Sequence, residues 1–539
     1  MAMNIKQAKQ EITNTLRAYL EKDELGNYLI PSNRQRPVLL MGPPGIGKTQ
    51  IMEQIAQETG VGLVAYTITH HTRQSAIGLP YIDHKEYNGE EVVITEYTMS
   101  EILASVYNLM ETTGIREGIL FLDEINCVSE TLAPVMLQFL QNKTFGNRRM
   151  PEGWLICAAG NPPEFNRSAR DFDVVTLDRV KRIEVEQDYG AWKEYARRKG
   201  LHGAVVNYLD IKKDHFYQIG NTAQGLRFAT ARGWEDLSEI IFAYEKLGLQ
   251  VTREVVEQYI QMPFIAKDFA NYLALYYKYQ RTYNVESILS GEWEKITVLE
   301  LRAAPFDEKL SVMGLLFSRL TEGARNTRRG DELTEELHKD LLAFREEMDQ
   351  AAARPDGLVA GGDPVGPAAV LERMAQGRRN VLKTDVAAGR LDKEKRDLYQ
   401  RDINLLEEYA AVLRSEVVAE PGAAMDLVRA RFGELADQTE AAGEETGRLF
   451  DNAFRFLEET FGQGQELVLF VTEITAGYDS SWFVQNYGCD AYFRHNQELL
   501  FDDTNRIIRE EIAAMQRAER EEARAAYAAA PDGKTVPQA

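Results

Sequence analysis

Over the first third of the chain, short apolar runs alternate with stretches in which apolar residues return every three or four positions. The runs are Val38-Leu-Leu-Met41, Gly62-Leu-Val-Ala-Tyr-Thr-Ile68, Gly118-Ile-Leu-Phe-Leu122 and Trp154-Leu-Ile-Cys-Ala-Ala159, with Lys181-Arg-Ile-Glu-Val-Glu186 a fifth strand candidate. They are bounded by Gly, Pro or polar turns and predict strands. The periodic stretches predict helices: residues 4–24 with Ile12, Leu16 and Leu20, Thr49–Gln57 with Ile51, Met52 and Ile55, and a segment carrying Ile102, Leu103, Val106, Leu109 and Met110. Another carries Leu132, Val135, Met136, Phe139 and Leu140, with Pro134 in its first turn, where a missing amide costs little. Strands alternating with helices predict an α/β layer on a parallel sheet.

Two smaller features interrupt this alternation. Gly78–Ile82 and Glu91–Tyr97 flank Tyr87-Asn-Gly89, which predicts a β-hairpin. Thr98-Met-Ser-Glu101 has the form of a capping box. From about residue 188 strand signals fade. Thr230–Ile241 predicts a helix with Trp234, Leu237 and Ile241, and residues 264–283 predict a Tyr-rich helix whose Phe269, Tyr272, Tyr276 and Tyr279 read as packing residues. Residues 353–367 are rich in Gly and Pro and read as a flexible linker. Residues 370–418 and 421–527 predict long helices. Glu466–Glu473 fits helix or strand, and Trp482, Phe483, Tyr487, Tyr492 and Phe493 are suited to a bundle core. The tail, 529–539, is expected to be disordered.

At 539 residues the chain is long enough for two to four domains. No apolar run approaches the ~18 residues of a membrane span, and the N-terminus has no apolar signal region, so a cytoplasmic location is expected. Cys127, Cys157 and Cys489 lack C-x-x-C spacing and read as free thiols. A net charge of −22 disfavours general binding to nucleic-acid phosphates.

The chemistry concentrates at the ends of the predicted strands. Gly42-Pro43-Pro44-Gly45-Ile46-Gly47-Lys48-Thr49 fits G-x-x-x-x-G-K-[ST], a loop whose amides face phosphates. Lys48 would reach the β- and γ-phosphates and the Thr49 hydroxyl would bind Mg²⁺. Asp123 and Glu124 end the third run, which suits Asp123 to Mg²⁺ through its water shell and Glu124 to orienting or deprotonating a water. Asn161 follows the fourth run and places an amide beside them. His70-His71 have no carboxylate or cysteine at ligand spacing and read as a loop or strand-end pair.

In order and spacing these motifs resemble the AAA+ ATPases, and within them the MoxR family. The phosphate loop is similar to Walker A, Leu-Phe-Leu-Asp-Glu-Ile-Asn126 to Walker B, and Gly-Asn161-Pro to sensor 1. Leu-Asp-Arg179 is similar to the arginine-finger segment, with Val180 where Phe is common, which keeps Arg170 and Arg182 as alternatives. Thr-Ala-Arg232-Gly-Trp is similar to sensor 2, with Ala231 where Pro is usual, and Ile77-Gly-Leu-Pro80 with its hairpin resembles that clade's helix-2 insert. The resemblance implies a P-loop NTPase α/β domain over 1–187, a helical lid over 188–285 and, beyond its reach, a mostly helical region over 286–528. It also implies a ring, expected to be a hexamer, that hydrolyses ATP with Mg²⁺. Asn161 and Arg232 would act in cis, and Arg179 on the neighbour. The implied role is chaperone-like remodelling of a protein client, such as a von Willebrand factor A-domain protein, docked on the C-terminal region. A nucleic-acid motor or loader and a low-turnover nucleotide sensor are the alternatives.

Overall fold

The computed structural model describes residues 2–70, 72–87, 90–145, 148–166, 168–222, 225–352, 359–360, 363–364 and 366–497. The chain divides into two compact units, Met1–Tyr277 with Asn326–Ala441, and Lys278–Arg325 with Ala442–Ala539. The long helices Phe306–Ala352 and Pro421–Phe461 run through both.

The first unit is built on six strands: β1 (Met3–Asn4), β2 (Val38–Met41), β3 (Gly62–Thr67), β4 (Gly118–Asp123), β5 (Trp154–Gly160) and β6 (Lys181–Glu186). Their order is β1-β6-β2-β5-β4-β3, and every neighbouring pair is parallel. This is the expected P-loop α/β sheet of the AAA+ type. Both faces of β2, β4 and β5 are covered, so these strands read as unbroken apolar runs, whereas β6 buries only Ile183 and Val185. Val38, Leu40, Ile119, Phe121, Leu155 and Cys157 pack with Ile12 and Leu16 of helix Ile5–Leu20 and Ile51, Met52 and Ile55 of helix Lys48–Thr59. Leu39, Leu120, Leu122 and Ile156 face the opposite way, onto Ile102, Leu103 and Val106 of helix Glu101–Thr113 and Met136, Phe139 and Leu140 of helix Ala133–Asn142. Strand β1 has no signature in the sequence: it is two residues long and lies at the sheet edge.

The predicted hairpin is present as Pro80–Tyr87 paired with Glu90–Tyr97, while its Asn88-Gly89 tip and His71 lie outside the described residues. Leu79, Ile82 and Val93 on it are more than half exposed. The capping box does not form. The N-cap is Ser100, which makes no side-chain cap bond, and Thr98, the cap the box would need, instead accepts from the Leu79 amide at 2.8 Å.

Beyond β6, helices Tyr189–Lys199, Gly203–Ile211, Ala231–Leu247, Arg253–Tyr259 and Pro263–Thr282 follow. Phe269 packs edge-on against Tyr208 and Trp234; Phe269 and Tyr276 are core, while Tyr272 and Tyr279 are half-buried. A second hairpin, Gln218–Thr222 with Gly225–Ala229, was not foreseen: its strands carry few apolar residues, and Leu226 is exposed.

The segment 370–418 is two helices, Pro367–Ala387 and Lys393–Ser415, because Gly389 takes a left-handed turn at φ 70°. That turn reaches the sheet. The Leu63 amide of β3 donates to Ala388 O at 3.1 Å, the Arg390 side chain donates to Gly60 O, and Ala388 is fully buried in the sheet-face core. In the second unit, Gln465–Ala476 settles the ambiguous apolar segment as helix. Phe483 and Tyr492 are buried there, whereas Tyr487 and Phe493 stay exposed. The stretch expected as long helices over 421–527 divides after Phe461 and again at Gly477, and residues from 498 on lie outside the described residues, as does most of the linker over 353–367.

Candidate functional site

The carboxyl ends of β2, β5 and β4, three neighbours in the sheet, bring the predicted residues together. After β2 the loop Gly42–Gly47 turns into helix Lys48–Thr59, whose N-cap is Gly47 at φ 90°, with Gly45 at φ 74°. A Cβ strains such conformations, and glycine lets successive amides point to one side. The helix start has no side-chain cap, so its first amides are left for an anion.

Lys48 is only 8% exposed. Its ammonium donates to Gly42 O, Pro43 O and Asn161 Oδ1, each at 2.8 Å. Burial lowers its pKa to about 8, opposed by the Asp123 charge and reinforced by Arg232. Thr49 Oγ1 donates to Asp123 Oδ2 at 2.9 Å. These two hard oxygen donors side by side fit Mg²⁺, and the ion would neutralise charge on phosphate oxygens there. Glu124 sits at φ 57°, a left-handed conformation uncommon outside Gly, its amide bonded to Asp123 Oδ1 at 2.9 Å. Its carboxylate accepts from Thr69 Oγ1 at 3.1 Å.

Asn161 is held by a residue that the sequence reading passed over. Buried Asn126 donates to Asn161 O at 2.7 Å and accepts from Asn161 N at 3.2 Å, stapling the end of β5 to the turn after β4. It stands two positions after Glu124 in the stretch already singled out, and a polar residue so close behind an apolar strand end was the available signal. Thr69, just beyond β3, offered a similar clue. Tyr217, whose hydroxyl donates to Pro44 O at 2.8 Å, offered none.

Arg232 is exposed in the first turn of helix Ala231–Leu247, and Thr230 caps that turn by accepting from Gly233 N. It lines a cavity of about 430 Å³ together with Gly45, Gly47 and Thr49. The site thus gathers Lys48, Thr49, Asp123, Glu124, Asn161 and, across the cavity, Arg232. The three remaining arginines lie elsewhere. Arg170 pairs with Glu130 at 2.8 Å and Arg182 with Glu184 at 2.6 Å. Arg179, exposed at the end of helix Val174–Arg179, bonds the neutral amide of Gln141, and among the described residues no carboxylate lies within ion-pair distance of it. Among the described residues no cluster suits a metal held by His, Cys, Asp and Glu alone, and no helix is long and apolar enough to cross a membrane.

Residues 37–179 match the family described as AAA domain (dynein-related subfamily). Comparison with curated proteins finds no match. Two mutant forms of Thermotoga maritima RuvB are similar in structure, at 14% and 13% identity and a TM-score of 0.26 each. The alignments cover 47% and 48% of this chain and 69% of each RuvB chain. The matched segment spans the phosphate loop, the Asp123-Glu124 turn and Asn161, so the nucleotide-binding part of this chain is an AAA+ P-loop domain.

Proposed function

We propose that this AAA+ domain works as a MoxR-type ATPase that couples ATP hydrolysis in a ring to the remodelling or activation of a protein partner. The observation that carries the reading is the convergence of Lys48, Thr49 with Asp123, Glu124 and Asn161 at the ends of three adjacent strands. Lys48 exchanges its loop carbonyls for phosphate oxygens, and Thr49 and Asp123 would hold Mg²⁺, which would offset charge on those oxygens. Glu124 takes a proton from a water that attacks the γ-phosphorus as the bond to the bridging oxygen breaks and ADP leaves. Asn161 keeps Lys48 and the water aligned. Arg232 reads the γ-phosphate in cis, and Arg179, exposed and without an ion-pair partner among the described residues, serves the neighbour's nucleotide.

A protein client fits better than a nucleic acid, since a charge of −22 opposes phosphate backbones and the hairpin over 80–97 exposes apolar side chains. Residues 1–187 and 188–285 would form the nucleotide-binding and lid parts, and the helical region over 286–528 would dock the client, a von Willebrand factor A-domain protein being the kind expected. A steady-state ATPase assay is the direct test. Turnover should depend on Mg²⁺ and fall at least a hundredfold in Glu124→Gln, while that variant retains ATP and holds the client in a pull-down. Absence of turnover in the unaltered protein favours a nucleotide sensor instead. A salt-sensitive mobility shift with DNA or RNA favours the motor.

A further inference from the structure

We infer that Gln50 and Glu235 form a latch between the phosphate loop and the helix carrying Arg232, and that this latch makes the site distinguish ATP from ADP. The inference rests on the ATP-binding reading above. Gln50 occupies the first turn after Thr49 and works at both ends. Its amide oxygen lies 3.3 Å from where a Cβ on Gly47 would stand, against the loop that takes the phosphates. Its amide nitrogen points the other way, 3.2 Å from Tyr195 Oη and 3.4 Å from both carboxylate oxygens of Glu235.

Glu235 lies one turn beyond Arg232 on the same helix, and both line the cavity beside the phosphate loop. The two differ sharply in freedom. Arg232 is exposed, with no hydrogen bond or ion pair among the described residues, whereas Glu235 is 7% exposed. Glu235 accepts from Tyr195 Oη at 2.8 Å and from Lys199, both on helix Tyr189–Lys199, and from Gln50 on the loop helix. Three donors from two elements therefore fix the rotation of the helix that aims Arg232. A buried carboxylate held this way is costly to leave half-satisfied, so the helix keeps its position only while the set is complete. Only ATP offers a γ-phosphate to Arg232, so loosening the latch weakens ATP binding and leaves ADP binding, which relies on the loop amides and Lys48, nearly unchanged. Glu235 and Gln50 are positioning residues: they act through the helix that aims Arg232.

The test is calorimetric titration of the full chain with ADP and with the non-hydrolysable β,γ-imido analogue of ATP. Gln50→Met, Glu235→Gln, their double variant and the milder Tyr195→Phe are compared, with thermal midpoints recorded for each. Lys199 keeps Glu239, 3.2 Å away, when Glu235 is neutralised. Each of the first two singles should bind the ATP analogue about tenfold more weakly and ADP within twofold of the unaltered protein, and the double variant should be no worse than the poorer single. Tyr195→Phe should give a smaller loss of the same kind. Equal losses for both nucleotides, additive losses in the double variant or unchanged affinities overturn the latch. Should Glu235→Gln fail to fold, Gln50→Met and Tyr195→Phe decide by the same ATP-to-ADP ratio. If the unaltered protein binds neither nucleotide, it is the ATP-binding reading that fails.

Discussion

Burial holds the Lys48 ammonium down to about 8, although its three hydrogen bonds are all made within the protein. Only the protonated form can replace those carbonyls by phosphate oxygens, and bound phosphate raises the pKa again. Nucleotide affinity should therefore be level below pH 8 and fall as pH rises past it, by up to about tenfold per unit. Fluorescence titration with a labelled ADP across pH 6.5–9.5 checks this, and a flat profile contradicts it. Lys48→Ala should lose tight binding of ATP and ADP alike. At this scale the sequence was informative wherever a motif dictates backbone geometry: Gly45, Gly47, Lys48, Thr49, Asp123 and Glu124 are where the pattern places them. It was silent on Gln50, Tyr217 and Glu235. Their roles come from which atoms the fold brings within reach, and none of them stands in a pattern of spacing.

At the scale of elements, strands β2 to β5 were legible as short apolar runs, β6 only through Ile183 and Val185 between charged residues, and the helices between them because one face is buried. The hairpin over 218–229 and β1 were not, since neither buries an apolar face that leaves a period. The long helical reading failed at Gly389, where one left-handed residue redirects the chain onto the edge of β3. The helices there also enclose a feature no periodicity reveals. Asp402 is fully buried, Arg378 spends its bidentate hydrogen bond on Asp340, and it comes no nearer to Asp402 than 3.7 Å. Burial, and then the Asp340 charge, push the Asp402 carboxyl well above the usual carboxylate range. A raised carboxyl pKa favours the folded state most where the group is protonated in both states, below about pH 4, and that contribution is lost as pH rises toward neutrality. Asp402→Asn should therefore stabilise the protein at pH 8 by on the order of 1 kcal/mol and change little at pH 4. Denaturant unfolding at the two pH values measures the difference, and equal shifts at both would refute the account.

For the whole molecule, the sequence motifs end by Arg232, and from them alone a chain cut near residue 300 would be expected to keep its nucleotide site. The first unit, however, includes Asn326–Ala441, and Ala388 completes the core on one face of the sheet. Cutting near 300 strips that cover, so the shortened chain should melt roughly 5 °C or more below the full one and bind a hydrophobic dye. An unchanged midpoint would show that the helical region is independent of the sheet. Assembly is the larger claim. Arg179 faces solvent, and the account gives it to the neighbour's nucleotide, so a subunit alone is incomplete. Arg179→Ala should bind ATP normally yet hydrolyse it about 10³-fold more slowly. The most direct measurement is ATP turnover after mixing Arg179→Ala with Glu124→Gln under conditions that permit subunit exchange. Each variant alone should be nearly inactive. In the mixture, interfaces that join an intact Glu124 to a neighbour's intact Arg179 should restore part of the activity. No recovery on mixing, or normal turnover by Arg179→Ala alone, would contradict hydrolysis between subunits.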